Sequence, residues 1–245
     1  MKSSSRLPYG SKPPSAVLSC GLLESCYPAG LSLGRADDCS ALACTRSFVP
    51  RGGSLYGLGD PFRSIYTIIA GTFKVCTMTE RGEEQVMGFH MRGAIMGLDA
   101  IATGRYTGSA VAIEDSQVCV VSAECLEEHC LHDQSVAKRI HAALGREIVA
   151  RQRMILTLGR KTAEERVATF LMELAATYVA LGYSSSEMHM VMTRLEIGSY
   201  LGLSLETVSR IFSEFQDRTL IEVDLKHIRL LDFAGLKRLA GSPAR

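Results

Sequence analysis

From residue 48 to about residue 122 short apolar runs alternate with glycine punctuation: "SLYGLGDPF", "SIYTIIAGTFKVCTM", "ERGEEQVMGFHMRG" and "SAVAIEDSQVCVVS". Turn signals recur about every 8–12 residues, the pattern of an antiparallel sandwich or roll. Within it "TERGEEQ" reads as a hairpin tip, with Gly82 supplying the positive φ. Near residue 133 the period changes. Val136, Ile140, Leu144 and Ile148 recur every four residues, with Lys138, Arg139, Arg146, Glu147 and Arg153 on the other faces. Such a helix must bury its one apolar stripe, either on its own β domain or on a twin helix from a second chain.

A second helix begins at "TAEERVATFLMELAATYVALG", where Thr162 and Glu165 form a capping box and Gly182 is the stop. Val167, Phe170, Leu171, Leu174 and Tyr178 make its core face. The most informative stretch follows: "RLEIGSYLGLSLETVSRIFS", residues 194–213. A helix-turn-helix needs a small residue where its two helices touch and a glycine four positions on for the turn. Gly198 and Gly202 fill those places, and Ile197, Leu201, Leu203, Val208 and Ile211 form the packing set. Ser204 is then the N-cap of the second helix. Its first turns expose Glu206, Ser209 and Arg210. Arginine reads guanine O6 and N7 together, glutamate accepts from cytosine N4, and serine suits base or phosphate. The bland alternative is a surface ion pair between Glu206 and Arg210 at i,i+4. Beyond the motif, "TLIEVDLKHIRLLDF" reads as two short strands around "DLKH", a β wing.

These readings define an α+β chain. A tail at 1–19 precedes a cysteine-containing segment at 20–47 and an antiparallel β-roll at 48–130. A connecting helix at 131–158 leads to a winged helix-turn-helix at 159–235 and a tail at 236–245. The net charge of +1 gives no global basic field. Around the motif Arg194, Arg210 and Arg218 stand against Glu196, Glu206, Glu214 and Asp217, so one copy would hold phosphates weakly. Affinity then calls for a homodimer on two half-sites of double-stranded DNA. No window reaches the roughly 18 apolar residues of a membrane span. The polar start "MKSSSRLPYGSKPPS" has no signal-peptide core, so the chain reads as cytoplasmic.

Eight cysteines stand at 20, 26, 39, 44, 76, 119, 125 and 130. Four fall between residues 20 and 44, where an even spread would place about one, and a reducing compartment argues against a disulfide framework. The pair Cys20 and Cys26 in "VLSCGLLESCYPAG" is open to three readings: metal ligation, a redox couple or packing.

The order of β-roll, long helix and winged helix-turn-helix resembles that of the CRP/FNR transcription regulators. The likeness covers nearly the whole chain from about residue 18. "GDPFRSIYTIIAGTFK", "EEQVMGFH", "GLDAIATG" and "MTRLEIGSYLGLSLETVSRIFSEFQ" look like its FNR branch, the oxygen- and redox-responsive one. The resemblance implies a cyclic-nucleotide-binding-like jelly roll, dimerisation through Ile140, Leu144 and Ile148, and DNA contacts from Glu206, Ser209 and Arg210. It also implies an inverted-repeat operator and RNA polymerase as a partner. In the cyclic-AMP-binding branch a Gly-Glu-Leu stretch and a later Arg-Ser pair hold the phosphate. Here they read "GLDAI" and "TGSA", with Gly108 in the arginine's place, so no cyclic nucleotide is expected. FNR-type regulators sense oxygen with a [4Fe–4S] cluster held by Cys-x2-Cys-x5-Cys and a strand cysteine. Cys20, Cys26 and Cys119 match three of those positions, while Val17 occupies the first. Cys39 or Cys44 is the candidate fourth ligand; Cys76, Cys125 and Cys130 match nothing and read as packing or incidental thiols.

Two other classes stay in view. The same dimer could switch by dithiol–disulfide exchange among Cys20, Cys26, Cys39 and Cys44, without a cluster. An enzyme on a cupin-like roll would need converging His and carboxylate ligands. No two of the six histidines sit at i,i+2 or i,i+4 in the roll strands, so the chain does not read as an enzyme. No motif favours a haem sensor.

Overall fold

The structure, a computed structural model, describes residues 45–241. The chain divides into two compact units, one ending at Glu147 and the other beginning at Ile148. Among the described residues the first is built on eight strands: β1 (Thr45–Val49), β2 (Ser54–Tyr56), β3 (Ser64–Ala70), β4 (Thr72–Met78), β5 (Glu84–Met91), β6 (Ile95–Met96), β7 (Ser109–Ala112) and β8 (Ser116–Ser122). They form two antiparallel sheets of order β1-β8-β3-β6 and β2-β7-β4-β5. Gly82, at φ 77°, turns the β4–β5 hairpin.

Strand β3 is buried without a break from Ser64 to Ile68, because both its faces are covered. Tyr66 and Ile68 enter the core with Val49, Phe73 and Val118. Ile65 faces the other way, into a second cluster with Cys119, Val121, Leu126 and Val136. That second face is roofed by helix α1 (Ala123–His132) and the start of α2 (Gln134–Arg160).

Several expected boundaries move. Among the described residues strand β1 already runs from Thr45, before residue 48, so residues 45–47 of the cysteine-containing segment belong to the roll. The rest of that segment, with Cys20, Cys26, Cys39 and Cys44, lies outside the described residues, as do residues 1–19. The helix expected at 131–158 is α2, and a separate helix, α1, precedes it in what was expected to be the end of the roll. Asp133 breaks them with extended φ −125° and ψ 102°, and its carboxylate accepts from the Ser135 N–H at 2.7 Å to start α2.

The expected stripe on α2 also divides. Val136 and Ala143 are buried, and half-buried Ile140 and Leu144 pack against the second cluster of their own roll. Further along, Ile148 is 59% exposed and Ile155 70% exposed. Ile140 and Leu144 thus pack in part on their own domain, while Ile148 lies in an exposed apolar stretch. Among the described residues no helix is long and apolar enough to cross a membrane.

The second unit holds the end of α2, then α3 (Ala163–Ala180), β9 (Glu187–His189), α4 (Arg194–Leu201), α5 (Leu205–Asp217), β10 (Ile221–Asp224), β11 (His227–Leu230) and α6 (Phe233–Leu239). Thr162 and Glu165 close the capping box of α3, and Val167, Leu171 and Leu174 are buried on its inner face. The wing is a three-stranded sheet of order β10-β11-β9. Strand β9 is too short, at three residues, to show alternation in the sequence. The expected tail at 236–245 begins inside α6, whose cap Asp232 accepts from the Gly235 N–H and whose Leu236 is fully buried. An internal glycine, a weak helix former, hid this helix.

Candidate nucleic-acid interface

Thr193 caps α4, and Glu196 reaches back to the Thr193 N–H to complete a capping box. A Cβ added at Gly198 would lie 2.6 Å from the Leu203 carbonyl oxygen. Only glycine lets the turn come this close. Gly202, at φ 64°, ends α4 in the left-handed region, where other residues are strained. Ser204 then accepts from the Thr207 N–H at 3.2 Å and starts α5. Ile197, Leu201, Val208 and Ile211 are buried between the helices, and Leu203 is half-buried.

The guanidinium of Arg166, unnoticed in the sequence, clamps this unit. It donates to the carbonyls of Leu158, Lys161 and Leu201 at 2.7, 3.0 and 3.0 Å. These are carbonyls that ending helices leave without partners. Lys161 likewise donates to Thr169 Oγ1 and the Ala240 carbonyl, which ties down α6.

Helix α5 buries Val208, Ile211, Phe212 and Phe215 and exposes Glu206, Ser209 and Arg210. The backbone N–H at Glu206 and the Ser204 hydroxyl hold the Glu206 carboxyl below the ordinary carboxylate range. Arg210 pairs with Glu214, at 2.9 Å, one turn further on. This replaces the Glu206–Arg210 pair anticipated from spacing and leaves the Glu206 carboxylate turned to the start of its helix. Arg194, counted among the module's surface cations from sequence, turns inward. Its guanidinium lies 3.5 Å over the Phe212 ring, a cation–π contact, and burial lowers its pKa to about 10. It is still charged at neutral pH but is a packing group. At the wing tip Leu225 takes φ 53° and is 90% exposed beside exposed Lys226.

In the first unit Cys119 lies on β8, 3% exposed, in the cluster under α1 and α2. Cys125 and Cys130, on α1, pack half-buried against the same cluster, and burial pushes the Cys130 thiol up. Cys125 Sγ is 3.5 Å from His129 Nδ1. Cys76 is buried on β4, in the other sheet. Among the described residues no three His, Cys, Asp or Glu side chains converge on a metal-sized site.

Comparison with known proteins places these elements. Residues 165–239 match the Crp-like helix-turn-helix domain, and residues 46–133 match the cyclic nucleotide-binding domain. The transcriptional regulatory protein btr of Bordetella pertussis is 40% identical, covering 91% of this chain and 92% of that protein. The fumarate and nitrate reduction regulatory protein of Vibrio cholerae is 36% identical over 91% and 89% of the two chains. The structure of FixK2 from Bradyrhizobium japonicum superposes with a TM-score of 0.75 at 30% identity, covering 82% of this chain and 98% of that one. The chain belongs to the CRP/FNR family, on its FNR-like branch. It is a DNA-binding transcription regulator and not an enzyme.

Two positions in the region that matches the cyclic nucleotide-binding domain bear on what it can hold. Leu98, in a 3-10 turn, is 6% exposed and joins the cluster under α1 and α2. At Gly108 a Cβ would stand 3.0 Å from the Cys76 carbonyl oxygen and 3.1 Å from Val75 Cγ1. A side chain there would press on strand β4, whose atoms would have to give by a few tenths of an ångström.

Proposed function

We propose that this CRP/FNR protein is a cytoplasmic, homodimeric regulator that controls transcription in response to oxygen. In this reading Cys20, Cys26 and Cys119 hold a [4Fe–4S] cluster, with Cys39 or Cys44 as the fourth ligand. Residues 20–47 are the sensor segment. When bound, such a cluster supplies an oxygen-labile iron centre whose stability depends on its surroundings. The observation that carries the reading is the position of Cys119. Its thiol is buried in the cluster on which the first turns of α2 rest, and the same helix continues into exposed Ile148 and Ile155. A change at Cys119 therefore acts on the footing of the helix proposed to pair. A few kcal/mol of bias is enough to move such an equilibrium from mostly apart to mostly paired.

Paired, the two copies set Glu206, Ser209 and Arg210 into successive major grooves of an inverted repeat. The bound dimer then engages RNA polymerase. A cyclic nucleotide is not the effector. Leu98 stands where the cyclic-AMP-binding branch holds glutamate, and Gly108, in the place of that branch's phosphate-binding arginine, offers no cation and is closely packed against strand β4.

The test is iron and sulfide quantitation on anaerobically purified protein, with visible spectra before and after air. Cys20→Ser, Cys26→Ser and Cys119→Ser each lose iron and visible absorbance, while Cys76→Ser keeps both. Full iron in Cys119→Ser would refute the cluster reading. Iron-free wild type whose DNA binding follows thiol oxidation would put the dithiol–disulfide switch in its place.

A further inference from the structure

Cys119 has two cross-strand neighbours. Strand β3 places Thr67 directly opposite it, and edge strand β1 places Arg46 opposite it on the other side. Directly opposed residues of antiparallel strands project from the same face. Arg46, Cys119 and Thr67 thus form one row across the sheet, on the face that α1 and α2 roof. Ile65 and Ile69, the residues on either side of Thr67 on this face, both belong to the apolar cluster that contains Cys119.

Thr67 is out of place in such a row. It is 1% exposed, and its Oγ1 is buried without a hydrogen-bond partner. A buried hydroxyl without a partner costs stability that an apolar residue of the same shape would not. Valine has that shape and suits a strand equally well. The hydroxyl also has a proton to donate. The group across the strand from it is a sulfur, a weak acceptor as a thiol and a strong one as a metal-bound thiolate.

We infer that Thr67 is a positioning residue for the metal-bound state of Cys119: its hydroxyl donates a hydrogen bond to the Cys119 sulfur when that sulfur ligates iron. The inference rests on the proposal that Cys119 is a cluster ligand. It explains why a costly hydroxyl stands at this one buried place. A hydrogen bond to a ligating sulfur draws charge from it and stabilises the more reduced centre. Thr67 therefore slows loss of the centre in air. Arg46, exposed at the sheet edge, adds a positive charge to the same row and acts in the same direction, less strongly because water screens it.

The experiment compares wild type, Thr67→Val, Thr67→Ser and Cys119→Ser, all purified anaerobically, with iron content, the rate of visible absorbance loss in air, and the melting temperature of the iron-free form. Thr67→Val loses absorbance several-fold faster than wild type. Its iron-free form melts at the same temperature or higher, since the orphan hydroxyl has gone. Thr67→Ser keeps the donor and decays close to the wild-type rate. A Thr67→Val protein that decays at the wild-type rate overturns the inference. So does one whose iron-free form melts markedly lower, which would make Thr67 a packing residue only. Failure of the underlying reading shows separately, as wild type without iron or Cys119→Ser with full iron, and either result overturns the inference as well.

Discussion

The two units of this protein carry their distinctive side chains on opposite sides of their surfaces. In the winged helix-turn-helix, Glu206, Ser209 and Arg210 point to solvent, and beneath them lies aliphatic and aromatic packing with the Arg194 guanidinium stacked on Phe212. In the roll the ordinary residues are outside and the unusual ones, Cys119 and Thr67, are enclosed. A surface that reads DNA must present its donors and acceptors to the groove before the ligand arrives. A centre of the kind proposed at Cys119 would do better with limited access and low dielectric around its sulfurs. The difference teaches where mutations should show themselves. Inward changes alter the fold or its stability, and outward changes alter partners while leaving the fold intact.

The sharpest way to break that comparison is on α2, where both kinds of position lie on one helix. Val136→Asp puts a carboxylate at a 4% exposed site. It is expected to cost about 4 kcal/mol of the first unit's stability, read from a denaturant midpoint. Ile148→Glu, at an exposed site, should leave that midpoint within about 0.5 kcal/mol. It should instead convert the anaerobic protein from dimer to monomer in sedimentation. A variant that still sediments as a dimer removes Ile148 from the pairing edge.

Next in size is Gly198→Val. The added carbons meet the Leu203 carbonyl, and overpacking of this kind costs about 3 kcal/mol. Lower thermal stability of the second unit and loss of DNA binding are expected together. Arg210→Ala tests the outward face alone. The melting temperature should stay within a degree or two of wild type, given its exposed ion pair with Glu214. Binding to the specific duplex should weaken by about 1–3 kcal/mol per half-site, and discrimination against a scrambled duplex should shrink. The smallest effect belongs to Ser204→Ala, which removes the cap of α5 and should lower stability by about 1 kcal/mol. It should also bring the Glu206 carboxyl closer to its ordinary pKa, because the Ser204 hydroxyl helps hold it down. As the wild-type carboxylate is favoured on folding, its small contribution is present above the ordinary carboxylate pKa. It fades as pH falls through the lowered value. NMR titration of Glu206 in the two proteins checks the shift.

The helix-turn-helix was open to reading from sequence because its determinants are local. Gly198, Gly202 and Ser204 act on backbone within a few residues of themselves, and the spacing of Ile197, Leu201, Val208 and Ile211 follows from helix geometry. The capping box at Thr162 and Glu165 was visible for the same reason. What sequence left open, tertiary contacts decided. Periodicity along α2 required an apolar partner but carried no information on which one. Only folding set Ile140 against its own roll and left Ile148 bare, because cover depends on where the strands end and not on the stripe itself. Arg210 had a carboxylate four residues away in either direction, and rotamer choice within the folded helix selected Glu214. Arg194 and Arg166 look like any surface cations in one dimension. One is stacked on Phe212 and the other is shared among three carbonyls, contacts made across helices that sequence distance does not relate. The pairing of Thr67 with Cys119 joins positions 52 residues apart, and a strand register is a property of the sheet, not of either strand alone.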